Sequence, residues 1–244
     1  MNSLKIFLIL FVLTKLLNAE HFNYLNLQLH YDIRREHPTS TLEFYGADNL
    51  GFWFFFMDIN FDKYLKEGGA SDFYFELMRY FNFASIKNTN VAFTIQYNDG
   101  NEPITNTWLA GMNLNNIILG PFLLSTDFLL KKTYQLNINW QWTVVWYSEF
   151  MNRKIVFNGY FDLWKNDNEN ENWPDFSREV KNTAYSFQAE PQIGWMISPY
   201  WKIGSEIEIS RGFLGSVTGK LATEQEYKYT KWYVLPTVFI QYIF

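Results

Sequence analysis

The chain has 244 residues, no cysteine and a formal net charge of −5. The missing thiols exclude disulfides, thiolate metal sites, cysteine nucleophiles and lipidation at a leader cysteine, and no basic cluster is present to neutralise nucleic-acid phosphates. Aromatic residues make up 20% of the chain while the mean hydropathy is −0.20, a pairing expected where polar and aromatic positions alternate between water and lipid.

The first residues read as a secretory leader. Lys5 gives a weak positive start, residues 6–13 are apolar, and Ala19 offers a small residue for cleavage before Glu20. Thr14 and Lys15 interrupt the apolar run, which leaves it too short for a spanning helix. The expected layout is a signal peptide over 1–19 and one domain over 20–244.

From there the chain alternates with period two. Residues 23–33 set Leu25, Leu27, Leu29 and Tyr31 against Asn26, Gln28, His30 and Asp32. Residues 52–62 set Trp53, Phe55, Met57 and Ile59 against Asp58, Asn60 and Asp62, with Phe52, Phe54 and Phe56 on the second face as well. The pattern returns at 90–98 and 134–147, where Trp140, Trp142 and Trp146 oppose Asn139, Gln141 and Thr143. Ile155, Phe157, Phe161 and Leu163 oppose Asn158 and Asp162; Phe187, Ile193 and Trp195 oppose Gln188, Glu190 and Gln192; Ile203, Ile207 and Ile209 oppose Glu206 and Glu208. A helix cannot hold this period, because side chains two apart point to nearly opposite sides of it. The last segment counts back from Phe244 through Tyr242, Ile240, Val238, Pro236 and Val234 to Trp232, an unbroken apolar face ending on an aromatic. That is expected of a barrel with an apolar outer band and aromatic rims.

The segments give twelve predicted strands, roughly 22–34, 39–46, 51–62, 71–82, 90–98, 105–116, 121–131, 134–148, 154–165, 183–197, 201–211 and 228–244. The fold class is all-β, a transmembrane antiparallel up-and-down barrel with both termini periplasmic. Parity places the long polar connections outside, including the acidic, amide-rich 165–172, and the short ones inside. The 132–133 connection is tight for an outer loop. The 215–220 run has one residue too few between its glycines for a phosphate loop.

Several stretches carry a family resemblance: GFWFFFMDINFD from Gly51, TWLAGMNL from Thr107, FQAEPQIGW from Phe187, WKIGSEIEIS from Trp201 and the terminal LPTVFIQYIF. With them the chain resembles uncharacterised outer-membrane proteins grouped with the Tsx-like nucleoside-specific channels. The resemblance implies a monomeric twelve-stranded barrel passing nucleosides through a narrow lumen by facilitated diffusion.

The lumen-facing set is expected to include Phe52, Phe54, Asp58, Asn60, Glu76, Asp162, Trp164, Gln188, Glu190, Gln192, Glu206 and Glu208. Phe52, Phe54 and Phe56 are either stacking platforms for a nucleobase or packing against an inward-folded loop. The carboxylates accept hydrogen bonds from sugar hydroxyls or merely keep the lumen wet, and their excess favours neutral and cationic solutes over anions. No cofactor or metal is implied. The expected partners are outer-membrane lipid, the barrel-insertion machinery reading the strand that ends in Phe244, and a small polar solute. A plugged barrel acting as receptor or structural protein is the alternative. A hydrolase needs a histidine; only His30 sits well on a strand, beside Asp32, and Glu206 and Glu208 are the carboxylate pair available for acid–base work.

Overall fold

The computed structural model describes residues 22–61, 69–101, 106–134, 136–165, 185–213 and 231–244. The leader and the 166–172 and 215–220 stretches lie outside the described residues. Among the described residues there is no helix.

The strands are β1 (Phe22–Asp32), β2 (His37–Asp48), β3 (Gly51–Phe61), β4 (Ala70–Ile86), β5 (Thr89–Gly100), β6 (Thr107–Leu119) and β7 (Phe122–Thr133), then β8 (Ile138–Phe150), β9 (Ile155–Lys165), β10 (Tyr185–Ala189), β11 (Gln192–Met196), β12 (Trp201–Arg211) and β13 (Trp232–Ile243). Apart from β10 and β11, consecutive strands pair antiparallel, and β1 pairs with β13, so the sheet closes and leaves no edge. The predicted tenth strand is not continuous: β10 and β11 are two halves of one stave, both lying between β9 and β12. Pro191 has no N–H to give to a ladder. The break stays tied because Glu190 N donates to the Tyr160 carbonyl and Ile207 N donates to the Pro191 carbonyl. The barrel therefore has twelve staves, as the periodicity predicts.

Asn26 is opposite Ile243, so the start of β1 and the end of β13 share one rim. At that rim the connections 49–50, 87–88 and 120–121 are two residues long, and 151–154 and 197–200 are four. The 120–121 turn corrects the predicted boundary at residue 116. β6 passes a register shift between Leu114 and Ile117 and continues to Leu119, where Gly120 supplies φ +59° ahead of Pro121, the sign pattern of a two-residue hairpin turn. The connection thought to be tight at 132–133 spans 134–137, because β7 ends at Thr133 and β8 begins at Ile138. His37, expected in a loop, is the first residue of β2 and is buried.

Outward positions are apolar. Leu27, Leu29, Tyr31, Ile203, Val238 and Ile240 are exposed, while their alternates Gln28, His30, Lys202 and Gln241 are buried inside. Charges on the outer face stand near the strand ends, as Lys132, Lys165 and Arg211 do; toward the short-turn rim stands Arg79, two residues in by its pairing with Trp53. Its guanidinium lies 4.8 Å from both the Trp53 and Phe81 rings and donates to Asp48 at 2.9 Å. Stacking and pairing together keep that cation tolerable on an apolar wall.

Candidate functional site

Register places eleven of the twelve predicted lining residues on the inward face, the side shared with Asn26, Gln28 and His30; Glu190, in the break between β10 and β11, bonds to the inward Gln188. They fall into two walls.

The wall built by β2 to β7 is aromatic and amide-rich. Phe52 stacks on Tyr80 with centroids 4.1 Å apart and on Tyr45 at 5.4 Å. Phe54 leans on Phe56 at 6.2 Å, and Phe56 meets the edge of Tyr74. Both of the Phe52 stacking partners stand on adjacent staves, not on an inward-folded loop. Asp58 accepts from Thr41, and Asn60 accepts from Thr39. Glu76 takes hydrogen bonds from Tyr74 Oη and from Asn98 Nδ2, the latter at 3.0 Å. Toward the short-turn rim, Asp127 accepts from Tyr80 at 2.9 Å, from Gln96 at 3.2 Å and from Asn113. Asn115 extends this network to Asn113, and Asn90 extends it to Asn115. Asp127, Gln96, Asn113 and Tyr80 are 0–5% exposed, so their groups serve one another.

The other wall, from β9 round to β1, is ionic. Arg35, on the turn after β1, pairs with Asp32 at 2.7 Å and with Glu208 at 3.1 Å, and Ser210 donates to Glu208. Burial works against the Arg35 charge, but Glu208 and Asp32 more than offset it, so its pKa stands above the ordinary value. On β11, Gln192 donates to Glu206 of β12 and to Gln28, both at 3.1 Å, and accepts from Lys202 at 2.8 Å. The Lys202 stem lies across Gly194, where a Cβ would come within 2.6 Å of it. His30 faces Gln28 at 3.1 Å and Glu206 at 3.8 Å and stacks on Phe239. Asp32, its neighbour on the same face, is turned to Arg35 and to the backbone of residues 34 and 35. Glu206 and Glu208 likewise have separate partners. Glu190 projects from the break between β10 and β11 and accepts from Gln188 at 2.7 Å.

Between the walls, Asp162 accepts from Thr143. Trp164 is met edge-on by Phe213 and carries the Lys131 ammonium 4.5 Å above its ring. Asp127, Lys131, Lys202 and Arg35 escaped the sequence reading. β7 alternates poorly, with Leu129 inward between Asp127 and Lys131, and Arg35 sits on a turn, where period two gives no direction. Among the described residues no three His, Asp or Glu side chains converge as metal ligands.

The sequence matches, over residues 24–244, the family described as Domain of unknown function (DUF5020). No curated protein matches it. Among solved structures, the NanC porin aligns with TM-score 0.57 at 10% identity, covering 90% of this chain and 98% of that one. The KdgM porin, also solved in complex with disordered oligogalacturonate, aligns with TM-score 0.54 at 8% identity, covering 91% and 99%. At these identities the likeness is one of fold.

Proposed function

We propose that this chain, which belongs to the DUF5020 family, is an outer-membrane channel through which small polar solutes, nucleosides among them, cross by passive diffusion. The observation that carries the reading is the charge of the inward face. Asp58, Glu76, Asp162, Glu190, Glu206 and Glu208 point into the lumen against Lys131, Lys202 and the rim residue Arg35. Field focusing in a low-dielectric tube favours neutral and cationic solutes over anions. Oligogalacturonate, found with the KdgM porin, is a polyanion, and this lumen suits it poorly.

The resemblance to nucleoside-specific channels supplies the candidate solute. Phe54 offers a flat face for a base, and carboxylates across the lumen accept from ribose hydroxyls. No energy source or catalytic step is needed. In this reading the leader is removed, the chain is a monomer, the rim with two-residue turns faces the periplasm, and β13 with Phe244 is read by the insertion machinery.

Uptake of radiolabelled nucleosides into liposomes carrying the refolded barrel tests this, with arabinose, a nucleotide and galacturonate as comparators. Saturable nucleoside uptake, faster than that of both anions, is expected. Equal uptake of every solute means a general pore. No uptake at all moves the protein to a plugged barrel with a receptor or structural role.

A further inference from the structure

Lys131, inward on β7, turns its ammonium to an aromatic face. The group lies back on the Trp164 ring at 4.5 Å, with the carboxylates of Asp162 on β9 and Glu76 on β4 in electrostatic reach. Each surrounding group is fixed by something other than the lysine. Phe213 abuts Trp164 at 90°, Thr143 donates to Asp162, and Tyr74 with Asn98 donates to Glu76. An indole face with carboxylates beside it is the chemistry that receives an ammonium. The seat is held open by its own scaffold, and a side chain of the protein fills it.

We infer that Trp164, Asp162 and Glu76 form a primary-ammonium subsite in the lumen, occupied in the resting chain by Lys131, for which alkylammonium solutes compete. Its use in transport rests on the channel reading; the site itself does not. Occupation by a tethered cation means that small amines must displace Lys131 to pass along this wall, so the lysine is a built-in competitor.

Chemical rescue tests the inference without any conduction. n-Propylammonium reproduces the atoms that Lys131→Ala removes. The full barrel is refolded in detergent, and the temperature at which it loses its heat-modifiable gel mobility is followed against added n-propylammonium chloride, sodium chloride or n-propanol. Lys131→Ala should lose thermal resistance and regain it in n-propylammonium alone, at concentrations about tenfold below any that affect the wild type. Lys131→Ala/Trp164→Leu should not be rescued. Rescue by sodium or propanol, rescue that survives loss of Trp164, or a wild type that responds equally overturns the subsite. Where Lys131→Ala does not assemble, Lys131→Met keeps the stem out to the Cε position and is tested with ammonium chloride by the same criteria. A rescued barrel that conducts nothing defeats the channel reading alone; a conducting barrel that is not rescued defeats the subsite alone.

Discussion

On the β4 to β7 wall, Asp127 takes its hydrogen bonds from Tyr80, Gln96 and Asn113, all neutral donors and all nearly without solvent. Across the lumen, Glu208 answers to Arg35, and Glu206 answers to Gln192 and His30, with 18% of its side chain open. Both walls are polar, as a lumen must be, yet the first is closed on itself and the second keeps charge facing outward into the space. Inward polarity alone therefore does not mark a solute site. Within the first wall, the Asp127 network holds the shape of the barrel. In the proposed channel, a passing solute meets the second wall, with Trp164 and Asp162, together with Phe54 and Glu76 of the first.

Removing Asp127 tests that division most severely. Asp127→Ala removes the buried acceptor shared by the Tyr80 hydroxyl and the Gln96 and Asn113 amides; Asn113 keeps Ser125 and Thr126, and Gln96 keeps Thr94, so the cost is about 1–3 kcal/mol. Urea titration of the folded barrel, followed by tryptophan fluorescence, should show the loss, while the solute preference of surviving protein stays unchanged. Changed preference with unchanged stability would reverse the roles of the two walls.

The aromatic pair on β3 sharpens the boundary within one strand. Phe52 is sandwiched between Tyr45 and Tyr80, whereas Phe54 has only the tilted Phe56 as a ring neighbour among the described residues. Phe52→Ala should destabilise by about 1–3 kcal/mol with little effect on transport. Phe54→Ala should cost less than about 1 kcal/mol and lower nucleoside preference over arabinose. The opposite ranking in parallel unfolding and uptake measurements would show that the stacked ring, not the freer one, meets the solute.

Alternation made the staves legible because each inward position is polar against an apolar outward one, as in Asn26 to Asp32 and in Gln188 to Gln192. It also set Phe52 and Phe54 together on the lumen face. It had no means to separate them, since what distinguishes them is Tyr80, on a strand whose partner register no local pattern fixes. The break at Glu190 and Pro191 went unread although Pro was visible, because a closed barrel can tie the freed groups from both sides. Asp127 and Lys131 were hidden by Leu129 and by Thr126 and Lys132 on the opposite face, which blur polarity on both sides of β7. The ion pair of Arg35 with Glu208 joins a turn to a strand far along the chain, a link only closure creates.

In the proposed channel, the ionic wall selects by charge. The most direct test is the reversal potential of single barrels in planar bilayers under a potassium chloride gradient, for the wild type and for Glu190→Gln/Glu206→Gln. The wild type should prefer potassium over chloride severalfold, and the double substitution should bring that preference down while leaving assembly intact. A wild type that prefers chloride, or a preference unmoved by neutralising both carboxylates, would show that this wall does not set the selectivity.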